Sequence, residues 1–200
     1  YQKSDDPNSP DLLDNVIASV FEDEQDRLWV GTWGKGLSII DRSSNQSTHY
    51  QAEATGKYQI PENHVHVIFK DSQSRIWLGT RNGVSIREKN ASRFVPVEEY
   101  FSAPEFNYFE NNRVYCILET SDGRFWIGTG NGICILDTEL KERTILHEDA
   151  DSPLVLSRNL IYSLLEDREG HIWVATSNGL DRIDPLNMQV HHYSSDPESG

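Results

Sequence analysis

The stretch Arg27-Leu28-Trp29-Val30-Gly31-Thr32 recurs three more times along the chain, each time with a few substitutions. The other copies are Arg75-Ile76-Trp77-Leu78-Gly79-Thr80, Arg124-Phe125-Trp126-Ile127-Gly128-Thr129 and His171-Ile172-Trp173-Val174-Ala175-Thr176. The four tryptophans lie 48, 49 and 47 residues apart. A period of about 50 residues built from short apolar segments is typical of β-propellers, in which each repeat forms one four-stranded blade. We therefore predict an all-β propeller fold with four blades of four antiparallel strands, at residues 15–52, 63–98, 112–148 and 159–195.

Each repeat has the same internal order. An asparagine 14 positions before the tryptophan opens an apolar first strand, and a polar turn leads into the tryptophan strand; these asparagines are Asn15, Asn63, Asn112 and Asn159. Asn-Gly follows the tryptophan strand in three copies and predicts a type I′ hairpin with positive φ at both residues. Because the tryptophan keeps one strand context in all four copies, we expect it to pack between blades rather than to bind a ligand.

The whole sequence reads as one continuous array, residues 1–200, in which each blade covers its neighbour. Tyr1 and the residues after it match the end of a repeat near Tyr193, and the last residues approach another first strand. We therefore interpret the chain as a four-blade piece of a larger propeller, in preference to a closed four-bladed ring. Such an arc exposes apolar blade faces, so self-association as a homodimer is a further expectation.

Charge and hydropathy exclude several classes of partner. The net charge of −14 opposes binding to nucleic acid, and no lysine- or arginine-rich run offsets it. No apolar stretch approaches the roughly 20 residues that span a bilayer, so we expect no direct membrane contact. Cys116 and Cys134 fall on the first and third strands of one blade, which places them too far apart for a disulfide and predicts two small buried side chains.

The repeat pattern resembles the two-component regulator propeller repeat. The pattern is Asn-x-[Val/Ile]-x-x-[Val/Ile]-x-x-Asp, then Gly-x-[Leu/Ile]-Trp-[Ile/Val]-Gly-Thr, then Asn-Gly-[Leu/Ile], and the segment from Asn112 to Gly132 shows it best. Single copies depart from it at the longer turn Trp33-Gly34-Lys35-Gly36, at Thr120 in place of aspartate and at Ala175 in place of glycine.

The resemblance implies more than the residues show. It implies seven-bladed propellers in the periplasmic sensor region of hybrid two-component histidine kinases of the Bacteroidetes type, responding to oligosaccharides. It also implies neighbouring propeller or β-sandwich modules in the same protein, with the kinase elsewhere in the parent. The chain itself has no phosphate-cradling glycine loop and no helical segment with a phosphoacceptor histidine, so we expect no kinase activity and no cofactor here.

Candidate ligand-binding positions are those at which the four copies differ. One and three residues after the asparagine, the first strand carries Val16 and Ala18, His64 and His66, Arg113 and Tyr115, or Leu160 and Tyr162. These residues alternate onto one side at the channel mouth, and with the longer turn they supply aromatic faces and hydrogen-bond donors for a polar, ring-shaped ligand. The predicted ligand-binding residues are Trp33, His64, His66, Arg113, Tyr115 and Tyr162. His64 and His66 also suggest a metal pair, but no third ligand is indicated by spacing, so no metal site is predicted.

The loop between blades two and three carries Tyr100, Phe101, Phe106, Tyr108 and Phe109. Three interpretations stay open for it: a binding surface, a seal against a neighbouring module, or a loop folded onto its own blade. For the chain as a whole, the leading hypothesis is a non-catalytic sensor of a small molecule. The alternatives are a propeller lyase with His64 or His66 as general base, and a protein-interaction scaffold.

Overall fold

The computed structural model describes residues 12–52, 60–109, 112–139, 141–148 and 156–195, which form sixteen strands in four antiparallel sheets. The strands of each sheet pair in chain order, as predicted for propeller blades. Blade one comprises β1 (Ile17–Glu22), β2 (Arg27–Thr32), β3 (Leu37–Asp41) and β4 (Gln46–Tyr50). Blade two comprises β5 (Val65–Lys70), β6 (Ile76–Thr80), β7 (Gly83–Arg87) and β8 (Val95–Pro96). Blade three comprises β9 (Val114–Glu119), β10 (Phe125–Thr129), β11 (Gly132–Asp137) and β12 (Glu142–Leu146). Blade four comprises β13 (Ile161–Glu166), β14 (Ile172–Thr176), β15 (Gly179–Ile183) and β16 (Val190–Tyr193).

The chain divides into two compact units, residues 1–102 with blades one and two and residues 103–200 with blades three and four. The single array over residues 1–200 stays a prediction. Within a unit, the first strands of the two blades contact each other, β1 with β5 and β9 with β13. In each blade the first strand runs from one end of the sheet to the other. The end at which this strand begins is called the leading edge. The end at which it turns into the tryptophan strand is called the far edge.

Two of the four repeated tryptophans, Trp29 and Trp126, pack against the next blade of their unit, as predicted. In the first unit, Trp29 is fully buried in a cluster with Leu37 of its own blade and with Val65, Ile76 and Phe94 of blade two. In the second unit, Trp126 is fully buried in a cluster that includes several residues of blade four: Ile161, Ile172, Val174 and Ile183. Removing such a ring would leave a cavity and cost about 3–5 kcal/mol of folding free energy.

The repeated asparagine also joins neighbouring blades. The side-chain oxygen of Asn63 accepts a hydrogen bond of 2.8 Å from the backbone N–H of Ala52, which follows the outer strand of blade one. Asn159 accepts a bond of 2.5 Å from Glu148 N–H in the same way. The carbonyl of each asparagine accepts from a glycine of the preceding blade, Gly36 or Gly132. The asparagine therefore holds the start of one blade against the end of the one before it.

The Asn-Gly turns differ from the predicted type I′ hairpin. Positive φ occurs at Gly83, Gly132 and Gly179, but not at the asparagine before each of them. Strand pairing reaches the glycine itself, and the hydroxyl of the preceding threonine donates to the glycine carbonyl, over 2.9 Å for Thr129 and Gly132. The glycine alone therefore takes the left-handed conformation, in the manner of a G1 bulge after the turn.

In blades one, two and four, the tryptophan strand is also anchored to the far-edge turn before it. The indole N–H of Trp29, Trp77 or Trp173 donates to a carboxylate six residues earlier, over 2.7–2.8 Å. In blade two this carboxylate, Asp71, is completely buried and also bonds the guanidinium of Arg75. The aspartate of the repeat thus serves the fold by satisfying two buried donors.

Two smaller expectations concern the cysteines and membrane contact. Cys116 on β9 and Cys134 on β11 are free and separated by β10, as predicted. Burial raises the pKa of each thiol to about 12. Among the described residues, no helix has the length and apolar character needed to cross a membrane.

Candidate ligand-binding site

A β-bulge lies at the leading edge of every blade. Pairing between the first strand and the tryptophan strand shifts by one residue there, so that one residue of the first strand is left out of the ladder. The extra residue is always the third after the asparagine: Ala18, His66, Tyr115 and Tyr162. Bulges re-aim a side chain and are common near functional sites. The third residue after the asparagine, one of the two positions at which the four copies differ, is therefore the bulged residue of each blade.

The other variable position, one residue after the asparagine, is hydrogen-bonded to the turn that follows the tryptophan strand. The carbonyl of the residue one after the asparagine accepts a hydrogen bond of 2.9–3.1 Å from the residue after the threonine. The four pairs are Val16 with Trp33, His64 with Arg81, Arg113 with Gly130, and Leu160 with Ser177. Side chains from the variable columns and from the turn are thereby brought to one edge of each sheet.

In the first unit this edge carries an aromatic group. Trp33, on the longer turn of blade one, pairs with His64 in an isolated antiparallel bridge. Trp33 is 48% exposed, and its ring stands 4.9 Å from the ring of His66, tilted by 48°. The rings of His64 and His66 lie 6.5 Å apart. The structure therefore brings Trp33, His64 and His66 together, half covered and half open to solvent.

A carboxylate that the sequence analysis missed completes this group. Glu62 Oε1 lies 2.8 Å from Nδ1 of His64. Because a carboxylate only accepts, Nδ1 carries the proton, and in the neutral ring Nε2 is an acceptor. Burial opposes ionisation of Glu62, but hydrogen bonds from His64 outweigh it and hold the pKa of the carboxyl below its ordinary value. Its second oxygen, Oε2, is buried and has no hydrogen-bond partner among the described residues.

In the second unit, Arg113, Tyr115 and Tyr162 lie at the leading edges of blades three and four. Arg113 is exposed, and Tyr162 is 55% exposed. Tyr115 is partly buried and lies beside Gly130, where an added Cβ would stand 3.8 Å from Cε2 of the ring. These three residues supply a cation and two phenol rings. That they form one site with Trp33, His64 and His66 stays a prediction.

The family is decided by the four repeats. The sequence model described as "Two component regulator propeller" matches residues 11–34, 59–82, 108–131 and 156–178, which together hold the asparagines, the bulges and the tryptophan strands. The chain carries four two component regulator propeller repeats.

Solved structures share the fold of this two component regulator propeller chain. The extracellular domain of the putative hybrid two component system BT3049 from B. thetaiotaomicron is similar with a TM-score of 0.79 and 19% identity, over 96% of this chain and 25% of that one. The extracellular domain of BT4673 from the same organism, described as a putative one component system, gives 0.72 and 23%, over 93% and 26%. Virginiamycin B lyase from Staphylococcus aureus gives 0.61 and 15%, over 92% and 58%. No curated protein matches the chain in sequence. The chain thus spans about a quarter of the length of the two extracellular domains.

The loop between blades two and three of this propeller chain, with its five aromatic residues, is packed onto the blades beside it. In the first unit, the ring of Phe101 lies 6.1 Å from that of Trp77, and Tyr100 donates its hydroxyl to Glu88. In the second unit, Phe106 and Phe109 are buried, at 0% and 2% exposure, and the Tyr108 hydroxyl donates to the carbonyl of Asn131 over 2.9 Å. Of the three interpretations, folding of the loop onto neighbouring structure agrees with these contacts, and the scaffold hypothesis loses its main support.

The two histidines do not extend to a metal centre within the described part of this propeller chain. No group of three or more His, Cys, Asp or Glu side chains there is arranged to hold a metal ion. Glu62 is close, but its Oε1 is engaged with His64. The group is therefore better described as a hydrogen-bonding and stacking surface.

Proposed function

We propose that this chain is a ligand-sensing module that lies outside the cytoplasm, in the sensor region of a hybrid two-component histidine kinase, and that its ligand is an oligosaccharide. The observation that carries the proposal is the half-exposed Trp33 ring set against His66, with the Glu62–His64 pair beside it. The family and the extracellular domains with the same fold support the setting.

The chemistry of this surface suits a sugar. An indole face offers apolar contact to the C–H face of a pyranose ring, while nearby polar groups bond its hydroxyls. Nε2 of His64 can accept from a hydroxyl when the ring is neutral, because Glu62 holds the proton on Nδ1. Since Glu62 also fixes the ring orientation, part of the ordering cost of binding is met before the ligand arrives.

The test is calorimetric titration of the chain with a panel of oligosaccharides from plant and host glycans. We expect at least one to bind, and we expect Trp33→Ala and His66→Ala to weaken that binding at least roughly tenfold, as for loss of a buried aromatic or a hydrogen bond in a binding site. His191→Ala, an exposed histidine on the outer strand of blade four, is the matched control and should bind normally. Binding that survives both Trp33→Ala and His66→Ala would exclude this surface.

A parallel set of variants asks whether the second unit contributes. Arg113→Ala, Tyr115→Ala and Tyr162→Ala change the predicted residues of blades three and four one at a time. A loss of affinity in these variants would support a site that draws on all six predicted residues. Unchanged affinity would restrict the site to the first unit.

The outer face of blade four supports the idea of a larger, seven-bladed propeller. Leu180 and Tyr193 are 36% and 47% exposed, whereas residues in the same strand positions of blade three, Ile133 and Leu146, are buried at 0% and 2% against blade four. We propose that a further blade covers this face in the parent protein. Hydroxyl-radical footprinting of the parent should then show Tyr193 protected, and full reactivity would contradict the proposal.

A second candidate function is a lyase in which His64 removes a proton. The Glu62–His64 pair favours it, because a carboxylate on Nδ1 orients the ring and leaves Nε2 as the atom that accepts a proton. Virginiamycin B, the substrate named for the lyase of similar fold, is the first compound to test. Product formation that disappears in His64→Ala, and falls in Glu62→Gln, would support the lyase over the sensor.

A further inference from the structure

The far edge of the second unit holds an open cleft, away from the predicted ligand-binding residues. It lies between the turn after β9, the turn after β13 and the turn after β15. Its volume is about 290 Å³, which is enough for one long side chain. Four carboxylates line the cleft, Asp122, Glu166, Glu169 and Asp184, together with two basic side chains, Arg124 and His171, and with Pro185 and Leu186.

The matching cleft of the first unit is filled by the chain's own cations. Its volume is about 20 Å³, and Lys70, Arg87 and Lys89 line it. Arg87 is only 6% exposed, and its guanidinium stands 4.4 Å from the Trp29 ring centre and donates to the Tyr50 hydroxyl over 2.9 Å. Lys70 forms an ion pair with Glu24 of blade one. In the first unit, basic side chains therefore occupy the cleft between the two blades.

The second unit replaces each of these cations. By strand position, Glu166 stands where Lys70 does, Ile183 where Arg87 does and Pro185 where Lys89 does. Two long basic side chains have become a short apolar one and a proline, and the third position has reversed its charge. This exchange explains the open volume of the cleft and adds one carboxylate, Glu166, to its lining.

The carboxylates of the cleft are only partly neutralised. Arg124 pairs with Asp122, and Glu166 accepts from the backbone N–H and hydroxyl of Ser121, over 2.7 and 2.6 Å. Glu169 is 80% exposed and lies 3.7 Å from the His171 ring nitrogen. Glu166 therefore accepts hydrogen bonds from Ser121, but within the described ranges no lysine, arginine or histidine of the chain forms an ion pair with it. The counterpart position in the first unit, Lys70, is ion-paired with Glu24. Beside this charge, Leu186 is 94% exposed.

We propose that this cleft binds an arginine or lysine side chain from a segment of another protein, with an apolar neighbour of that residue packed on Leu186. Charge complementarity carries the choice of occupant, because a basic side chain supplies from outside the charge that Lys70, Arg87 and Lys89 supply in the first unit. A second copy of this chain, with a net charge of −14, is a poor source of it.

The proposal is tested by titrating the chain with the acetylated and amidated peptide Gly-Leu-Arg-Gly. We expect a dissociation constant below about 1 mM, and loss of binding when glutamine replaces the arginine of the peptide. Pro185→Lys, which imitates Lys89, and Glu166→Gln should each weaken binding roughly tenfold or more, as for loss of a charge-assisted bond. Glu139→Gln, at an exposed glutamate of another turn, is the charge-matched control and should leave affinity unchanged.

The outcomes separate the sources of the cation. If N-acetylarginine amide binds as tightly as the peptide, the cleft is a site for a lone small cation and the protein-segment proposal is overturned. Equal peptide affinity in Pro185→Lys, Glu166→Gln and the unsubstituted chain would overturn the cleft itself. Circular dichroism confirms that each variant is folded, and Leu186→Ser, at an exposed position, tests the apolar contact without risk to the core.

Discussion

Thr120 leaves the buried indole N–H of Trp126 without a hydrogen-bond acceptor among the described residues. Its hydroxyl is engaged with Asp122 over 2.6 Å and with the carbonyl of Arg124 over 2.9 Å. In the other three blades an aspartate at this position accepts from the tryptophan. The carboxylate of blade three lies two residues further along the turn, at Asp122, where it accepts hydrogen bonds from Thr120 and Arg124.

Restoring the aspartate should stabilise the protein. The double variant Thr120→Asp/Asp122→Gln reproduces the arrangement of Asp71 and Gln73 in blade two. We expect its free energy of unfolding in urea to exceed that of Asp122→Gln alone by about 1–3 kcal/mol, the cost of a buried unsatisfied donor. Equal stability of the two variants would show that the indole N–H is satisfied in solution by other means.

Removing the aspartate of blade two should have the opposite effect. Asp71→Ala leaves Arg75 and the indole of Trp77 without their buried acceptor, and we expect a loss of about 3–5 kcal/mol. Asp122→Ala is the matched control, because its carboxylate is 49% exposed and its pair with Arg124 is worth about 0–1 kcal/mol. Similar losses in the two variants, measured by urea unfolding, would contradict the role given to burial.

Stability should fall in acid through Asp23 and Asp167, the aspartates that bond the tryptophans of blades one and four. Burial raises the pKa of Asp23, but hydrogen bonds from Arg27 and Trp29 outweigh it and hold this pKa below the ordinary 3.8. The hydrogen bond from Trp173 lowers the pKa of Asp167 in the same way. A carboxyl with a lower pKa in the folded state stabilises the fold above pH 3.8 and loses that contribution as the pH falls through the folded value. Urea unfolding between pH 5 and pH 3 should therefore show a smaller decline for Asp23→Asn. An unchanged decline would exclude Asp23 as a contributor.

Gly132 should be irreplaceable for two reasons, of which Gly123 shares only one. Both have positive φ, 96° and 84°, but a Cβ at Gly132 would stand 2.1 Å from the carbonyl oxygen of Leu146, whereas one at Gly123 meets nothing within 4 Å. We expect Gly123→Ala to cost about 1–2 kcal/mol for its backbone conformation and Gly132→Ala to cost clearly more. The difference, measured by thermal or urea unfolding, isolates the contact from the conformational cost.

The thiols should be unreactive while the protein is folded. With pKa values of about 12, Cys116 and Cys134 have thiolate fractions of roughly one in ten thousand at pH 8. Mass spectrometry after iodoacetamide treatment should detect little alkylation of the native chain and two alkyl groups in urea. Rapid alkylation of the native chain would show that the blade opens.

The repeat made the blades predictable, because four aligned copies fix strand order and the buried tryptophans without any long-range information. The bulges were not predicted, since they depend on how two strands pair. The four copies nevertheless differ in sequence at the position that each bulge occupies. Glu62 was missed because it precedes the asparagine and acquires meaning only through contact with His64. The cleft of the second unit depends on a comparison of Lys70 with Glu166 across blades, and no local pattern signals it.

The bulge has a consequence for how such a protein can change. His66, Tyr115 and Tyr162 are set outside the strand ladder, so the hydrogen bonds that build each blade are made by their neighbours. A new side chain at this position alters what the leading edge presents while leaving the pairing register in place. Specificity can therefore diverge one blade at a time, at little risk to folding.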